Sequence, residues 1–330
     1  MGALTGGWMR LATMVFGLLV MVTVQGAPST KATSSRCDRS CLEGIADRYL
    51  DALVARNPTL APLSGHVRFT ENGQVLKIGD ALWATAQKLG AYRVVVADVQ
   101  DGTIGLFQVM NEAGQPILLA ARLSVVDRQI TEIEAIVSRS EPGGASNPEA
   151  LTRQPAFFDA VPEGERVSTT QLRNIANSYF EGLVQATDKL TPFDEHCFRI
   201  ENGSRTANNQ LAPQENAALD CRGQSATGLS RYITDLRERR FPVVDEERGL
   251  VFAQVFLDHA GTVPAAADDG TVARAPFNRP YSFEIFELFK VDDGRIKQIE
   301  AVLVPVPYGM PSNWSPVAAE PRVMPRRRAR

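Results

Sequence analysis

Between Leu42 and Val54 the apolar residues recur at spacings of three and four. Leu42, Ile45, Ala46, Tyr49, Leu50, Leu53 and Val54 form one stripe, with Asp47, Arg48 and Asp51 outside it. That period predicts an amphipathic helix over about 41–55, ended by Asn57-Pro58. The stripe returns in Leu172, Ile175, Ala176, Tyr179, Phe180, Leu183 and Val184, after the N-cap candidates Ser168, Thr169 and Thr170. Leu42–Gly73 and Leu172–Gly203 align without a gap at an offset of 130 residues, with 12 identities in 32 positions. A period this long marks a duplicated domain, not a solenoid.

In both copies the helix is followed by a short irregular stretch with a proline (Pro62, Pro192), a histidine (His66, His196) and then Glu-Asn-Gly, a turn signal. Asp80–Ala91 reads as a second, short helix around Trp83. Beyond it the first copy alternates as strands over 92–99, 104–110, 117–126 and 130–137, separated by turns, the pattern of an antiparallel meander. The second copy repeats the plan: a helical 229–239, then strands over 249–257, 281–291 and 296–304. At the copies' ends the offset has grown to 166 residues, which places about 36 extra residues in the loops 204–224 and 259–280. The expected organisation is a signal peptide over 1–27, a linker over 28–37, a first domain over 38–138 and a linker over 139–166. A second domain with long loops over 167–306 and a C-terminal arm with a basic tail over 307–330 complete it.

The N-terminus carries one charge, Arg10, before the apolar run Leu11–Val24 and small residues around Gly26-Ala27. That run suits a signal peptide and is short of the roughly 20 residues of a bilayer span. Export, to a periplasm or out of the cell, is expected, with no stable membrane insertion. A formal net charge of −3 argues against a nucleic-acid partner; the arginines of 322–330 read as a solvated tail. Export permits disulfides among Cys37, Cys41, Cys197 and Cys221. Cys197–Cys221 is the leading candidate, stapling a polar connection. Cys37–Cys41 is awkwardly spaced near a helix start, and three pairings are formally open. The three histidines (His66, His196, His259) form no ligand cluster with the cysteines, so no metal is expected.

The order long helix, short helices, bent antiparallel sheet is similar to the nuclear-transport-factor-2-like fold. The segments His66-Val-Arg-Phe-Thr-Glu-Asn-Gly73, Cys197-Phe-Arg-Ile-Glu-Asn-Gly203, Phe241-Pro-Val-Val-Asp-Glu-Glu-Arg-Gly-Leu250 and Pro307-Tyr-Gly-Met310 resemble a family of exported tandem SnoaL-like proteins of fungi and bacteria. The resemblance covers roughly 38–315. It implies an α+β fold of two tandem cone-shaped domains, each a long N-terminal helix and short helices packed on a strongly bent antiparallel sheet. It further implies a largely apolar pocket in each cone, acid/base chemistry without a cofactor, and pairing by sheet packing. A tandem chain makes that pair internally, as an intrachain pseudo-dimer, with homo-oligomers still open.

The candidate catalytic residues are His196, Glu201, Arg199, Asp258, His259 and Tyr179, with His66, Glu71, Arg68 and Tyr49 as weaker first-domain counterparts. Histidine titrates near neutral pH and suits a general base. A carboxylate such as Glu201 becomes an acid/base group when burial raises its pKa. Tyr179 and Tyr49 lie on the first helix of each copy, where the resemblance implies an oxyanion-hole hydroxyl. Asp258 beside His259, at a strand end opening a long loop, is expected to orient or charge it. Against these stand structural roles: loop-pinning histidines, capping carboxylates, Arg–Glu pairs and core tyrosines. No Gly-rich phosphate loop, Gly-x-Ser-x-Gly elbow or His-Glu-x-x-His occurs in the chain. The expected function is exported, cofactor-free lyase, dehydratase or isomerase chemistry on a small, rather apolar molecule, aromatic or polyketide-like. The alternative is a secreted small-molecule-binding protein.

Overall fold

A computed structural model describes residues 37–139, 146–262 and 279–314. The expected signal peptide, its linker, the basic tail and most of the loop 259–280 lie outside the described residues.

The first helix, α1 (Arg39–Val54), starts at Asp38, whose carboxylate accepts from the Cys41 N–H, and buries the predicted stripe. The rest of the first half is β1 (Leu63–Glu71), β2 (Gln74–Leu76), a single helical turn α2 (Leu82–Thr85), and β3 (Ala86–Asp98), β4 (Thr103–Glu112), β5 (Gln115–Val126) and β6 (Gln129–Arg139). The second half repeats this order. Its helix α3 (Thr169–Gln185) opens with a capping box in which the Ser168 and Gln171 side chains each bond the other's backbone. Then come β7 (Phe193–Glu201), β8 (Ser204–Ala207), two short helices α4 (Glu215–Ala218) and α5 (Cys221–Ala226), and β9 (Asp235–Asp245), β10 (Leu250–His259), β11 (Tyr281–Asp292) and β12 (Arg295–Val306).

Each half is one six-stranded sheet, ordered β2-β1-β6-β5-β4-β3 and β8-β7-β12-β11-β10-β9. Neighbours are antiparallel except β1 with β6 and β7 with β12, which are parallel. Register shifts interrupt the β3–β4 and β9–β10 ladders; such bulges bend a sheet. The fold is α+β, with two bent sheets each closed by its helix. Among the described residues no helix is long and apolar enough to cross a membrane.

Three expectations change. The "irregular" stretch after each long helix is a strand, β1 or β7, paired locally with the short β2 or β8 across the Asn-Gly turn and in parallel with a strand some 65–100 residues downstream. The helix expected over 80–91 is only α2, because β3 begins at Ala86. The helix expected over 229–239 is one 3-10 turn, Leu229–Tyr232, followed by β9.

The Asn-Gly turns have a specific job. Asn72 and Asn202 sit at φ 47° and 45°, followed by glycines at 75° and 86°. Both carboxamides pair with a strand backbone: Asn72 with Val137 at 2.8 and 3.2 Å, Asn202 with Leu303 at 2.9 Å both ways. The side chain thus substitutes for a missing rung of the ladder, which explains why Glu-Asn-Gly recurs. Asn313, like Asn202, uses its amide nitrogen inside the fold.

Helix and inward strand residues fill each cone, whereas the two sheets pack outer face to outer face within the one chain. Phe107 and Phe252 meet there at a ring separation of 5.3 Å, beside Ile136, Phe286, Leu288 and Val302. Gly105 is required at this seam: a Cβ would stand 2.6 Å from Phe252 Cγ. The halves also exchange covers. The Asn147 N–H of the connector donates to Asn202 O at 2.7 Å in the second half. The C-terminal arm reaches the first half, where Trp314 Nε1 donates to Thr70 Oγ1 at 2.9 Å and Asn313 bonds Gly73 O and accepts from Arg68.

Both disulfides form. Cys197–Cys221 joins β7 to the start of α5, with Cα atoms 5.4 Å apart. Cys37–Cys41 forms at 5.2 Å because Cys37 precedes the N-cap and is free of helical geometry. Two disulfides with no free cysteine among the described residues suit an oxidising compartment. Replacing Cys197 and Cys221 by serine is expected to lower the unfolding free energy by about 3 kcal/mol, read by denaturant titration. Dithiothreitol would then destabilise the parent by a similar amount more than the double variant.

Candidate functional site

The second-half cone holds a pocket. An inner cavity of about 80 Å³ lies between α3, β7, β11 and the 229–233 turn. It shares Arg199, Glu201, Gln224, Leu229 and Tyr232 with an open outer cleft of about 850 Å³, bounded on its far side by the 147–154 connector and the 209–217 loop.

Arg199 is central. β7 turns it inward, and its side chain is 15% exposed. Its Nε faces Thr206 Oγ1 at 3.1 Å and Glu201 Oε1 at 3.3 Å. One terminal nitrogen donates to the Tyr179 hydroxyl at 3.3 Å, the other to Gln224 Oε1 at 2.9 Å. Gln224 is itself fixed, donating to Thr206 O and to Asn216 O (2.8 Å for the latter). The Cys197–Cys221 bridge anchors α5, which carries it. A guanidinium has five N–H groups, so one hydrogen on each terminal nitrogen of Arg199 has no partner among the described residues.

At the back of the inner cavity stands Glu287, 4% exposed, on the inward face of β11 between Ile285 and Phe289. Burial pushes its pKa up to about 8, helped by the charge of Glu201 and opposed by Arg199 and the Tyr179 hydroxyl. At neutral pH it is a carboxylic acid, able to donate. Burial also pushes the Tyr179 phenol well up and the Tyr232 phenol to about 12, so both remain hydroxyls. Glu201 is at the junction of the two cavities and is more exposed than Glu287.

The strand registers give the first-half counterparts. Arg199 faces Ile299 as Phe69 faces Ile133, and Glu287 faces Ala301 as Ala121 faces Ala135. Where the second half places a cation and an acid, the first places Phe69 and Ala121, and Trp83, 1% exposed, packs edge-on to Tyr49. Glu71 is structural there, accepting from the Leu82 N–H at 3.0 Å and from Arg139 at 2.9 Å. Arg68 is exposed and stacks on Trp314 at 4.4 Å, and His66 is exposed.

Of the second-half candidates, Tyr179, Arg199 and Glu201 come together. His196 does not join them: its side chain is 84% exposed and its nearest acid is Glu195 at 3.6 Å, because β7 alternation turns it away from Arg199 and Glu201. Nor do Asp258 and His259 act as a pair. As consecutive residues of β10 they point to opposite faces. Asp258 meets Ser282 Oγ at 2.5 Å and Arg237 Nε at 2.8 Å on the seam side. His259 lies inside, stacked on Tyr232 at 4.8 Å with Nδ1 3.3 Å from Tyr232 O, where burial lowers its pKa. It backs the pocket wall. Sequence reasoning missed Glu287, Gln224 and Tyr232. A signal existed for Glu287: it is the one acid in the inward stripe Phe283, Ile285, Glu287, Phe289.

Residues 165–303 match a family model described as a domain of unknown function, DUF8021. The curated proteins give no match. Among solved structures, the chain is similar to a provisionally named ketosteroid isomerase from Kribbella flavida, at 13% identity over 35% of this chain and 91% of that one, with a TM-score of 0.25. It is also similar to a provisionally named isomerase from Bacillus subtilis, at 14% identity over 41% of this chain and 88% of that one, TM-score 0.26. At these values neither likeness bears on activity.

Proposed function

We propose that the second half is a cofactor-independent acid/base catalyst of isomerase, dehydratase or lyase type, working in an exported protein. The observation that carries this is the placement of Glu287, Arg199, Tyr179 and Glu201 around one cavity whose first-half counterpart is apolar. Two carboxyl groups in unlike surroundings divide acid and base roles. Glu201, at the mouth beside Arg199, takes a proton from a carbon next to a substrate carbonyl. The electron pair of that C–H bond moves into the enolate, and its oxygen accepts hydrogen bonds from Arg199 and the neutral Glu287 carboxyl. Donors fixed before the reaction stabilise such an oxyanion without reorganisation. Return of the proton to another carbon gives isomerisation; departure of a β-substituent gives elimination. Leu183, Ile233, Leu257 and Ile285 give the inner cavity one apolar side, while side-chain amides and hydroxyls make the outer cleft polar.

The test is incubation of the full chain with a pooled library of small carbonyl compounds, followed by mass spectrometry and, for mass-neutral products, NMR. Glu201→Gln is expected to cost roughly 10²–10⁴ in turnover and Glu287→Gln roughly 10²–10³, while His196→Ala retains it. Turnover should also fall as pH rises through about 8, where Glu287 loses its proton, and Glu287→Gln should remove that limb. Undiminished products from both carboxyl variants would overturn the assignment. A second reading, non-catalytic binding, draws on the Glu201–Arg199 contact at 3.3 Å, which occupies the base. It predicts ligands retained unchanged.

A further inference from the structure

Four charged side chains line the two cavities among the described residues: Arg199, Arg205, Glu201 and Glu287. With Glu287 protonated and Glu201 matched to Arg199, the charge of Arg205 is left over. That is a local positive excess on a chain of net charge −3.

Arg205 lies on β8, opposite Ile200 of β7. Its guanidinium sits over the Phe198 ring, 4.5 Å from the centroid, and both residues line the outer cleft. Its Nε makes one long contact, 3.4 Å to Ala207 O, and its two terminal nitrogens have no protein partner among the described residues. Stacking on an aromatic face holds the planar group and leaves its edge free, the arrangement that receives a carboxylate with two parallel hydrogen bonds. The unit is absent from the first half. There the registers place Arg68 for Phe198 and Val75 for Arg205, and Arg68 stacks on Trp314. It therefore occurs only in the half that has the Arg199–Glu287 cavity.

We infer that the second-half cleft takes a small organic carboxylic acid, its carboxylate held by Arg205 and its body lying along Phe198 and Ile200, on the face of β7 and β8 opposite Arg199. The site is separated from the inner cavity by the strand, so the binding preference does not need turnover. Arg205 then selects the ligand and contributes no chemistry.

The experiment measures binding of benzoate, phenylacetate and cinnamate, each against its neutral primary amide, to the full chain by calorimetry and saturation-transfer NMR. The acids are expected to bind at least about tenfold more tightly than the amides, a preference that weakens with salt. Arg205→Gln should abolish the preference and Arg205→Lys should keep part of it. Because Arg205 is exposed on a short edge strand, neither change threatens the fold, which circular dichroism checks. Glu287→Gln should leave the acid preference intact while lowering turnover roughly 10²–10³-fold. Loss of turnover with the preference intact would be expected; preference without any turnover would sink the catalytic reading alone. Equal binding of acids and amides, a preference surviving in Arg205→Gln, or no acid binding at millimolar concentration would overturn the carboxylate assignment.

Discussion

Phe252→Ala is expected to lower the unfolding free energy by about 3–5 kcal/mol, among the largest single-residue effects in the chain. Phe252 is fully buried, 5.3 Å from the Phe107 ring and 4.8 Å from Phe286, directly over Gly105. It joins the two sheets, packed directly over the Gly105 backbone, and a cavity there cannot readily collapse because both walls are β-sheet. The loss should be read by guanidinium titration with two probes, Trp83 in the first half and near-ultraviolet signals of the second-half aromatics. In the parent the two probes should report one transition; in Phe252→Ala they should separate, as the halves lose their coupling. A loss under about 1 kcal/mol with coincident probes would mean that the seam contributes little to cohesion.

The second expectation concerns pH. Besides Asp98, whose pKa burial also raises, three glutamates are buried with raised pKa values: Glu284 and Glu287 to about 8, Glu300 to about 7, each pushed first by burial. Their ordinary value is 4.5, so above it the unfolded chain releases three protons that the folded chain keeps. Stability is then fully present below pH 4.5 and declines as pH rises through the folded values. Each group contributes up to about 1.4 kcal/mol per pH unit. His259 works the other way, since burial lowers its pKa from 6.5, and this offsets part of the decline up to that pH. The slope is therefore clearest between about 6.5 and 8. Melting curves across pH 5–8.5 should show a falling Tm, and Glu284→Gln, Glu287→Gln and Glu300→Gln should each flatten it. A Tm that is level or rising from pH 6.5 to 8 would refute the protonated carboxyls.

Much of the architecture was legible because the chain repeats itself. The apolar stripe gave both long helices, and alternation gave the meander strands except β9, whose start falls in a stretch that reads as helix. What escaped was partly non-local: β1 and β7 bond in parallel to the last strand of their half, while their Asn-Gly hairpins to the short β2 and β8 were the local signal that they are strands. The site was half legible: Tyr179, Arg199 and Glu201 lie in the repeat and converge. Repetition also misled, since His66 and His196 recur on the surface and Glu71 recurs as a tether for α2 and Arg139. The informative positions were those where the copies differ, Arg199 against Phe69 and Glu287 against Ala121. Asp258-His259 shows the converse: neighbours in a strand are on opposite sides of it, so adjacency in sequence separates them in space.

The exchange of covers between the halves has a consequence for the order in which the protein matures on the ribosome. The connector that covers the Asn202-Gly203 turn is made before that turn. The arm that covers the Asn72-Gly73 turn is made some 240 residues after it. The first half, although synthesised first, is finished only when Trp314 has emerged to pack against Thr70 and Arg68. The second half meets the connector ready-made, but the same arm caps it too, at Ser282, Arg237 and Glu238. Both halves thus wait for the arm, the first for far longer after its own synthesis.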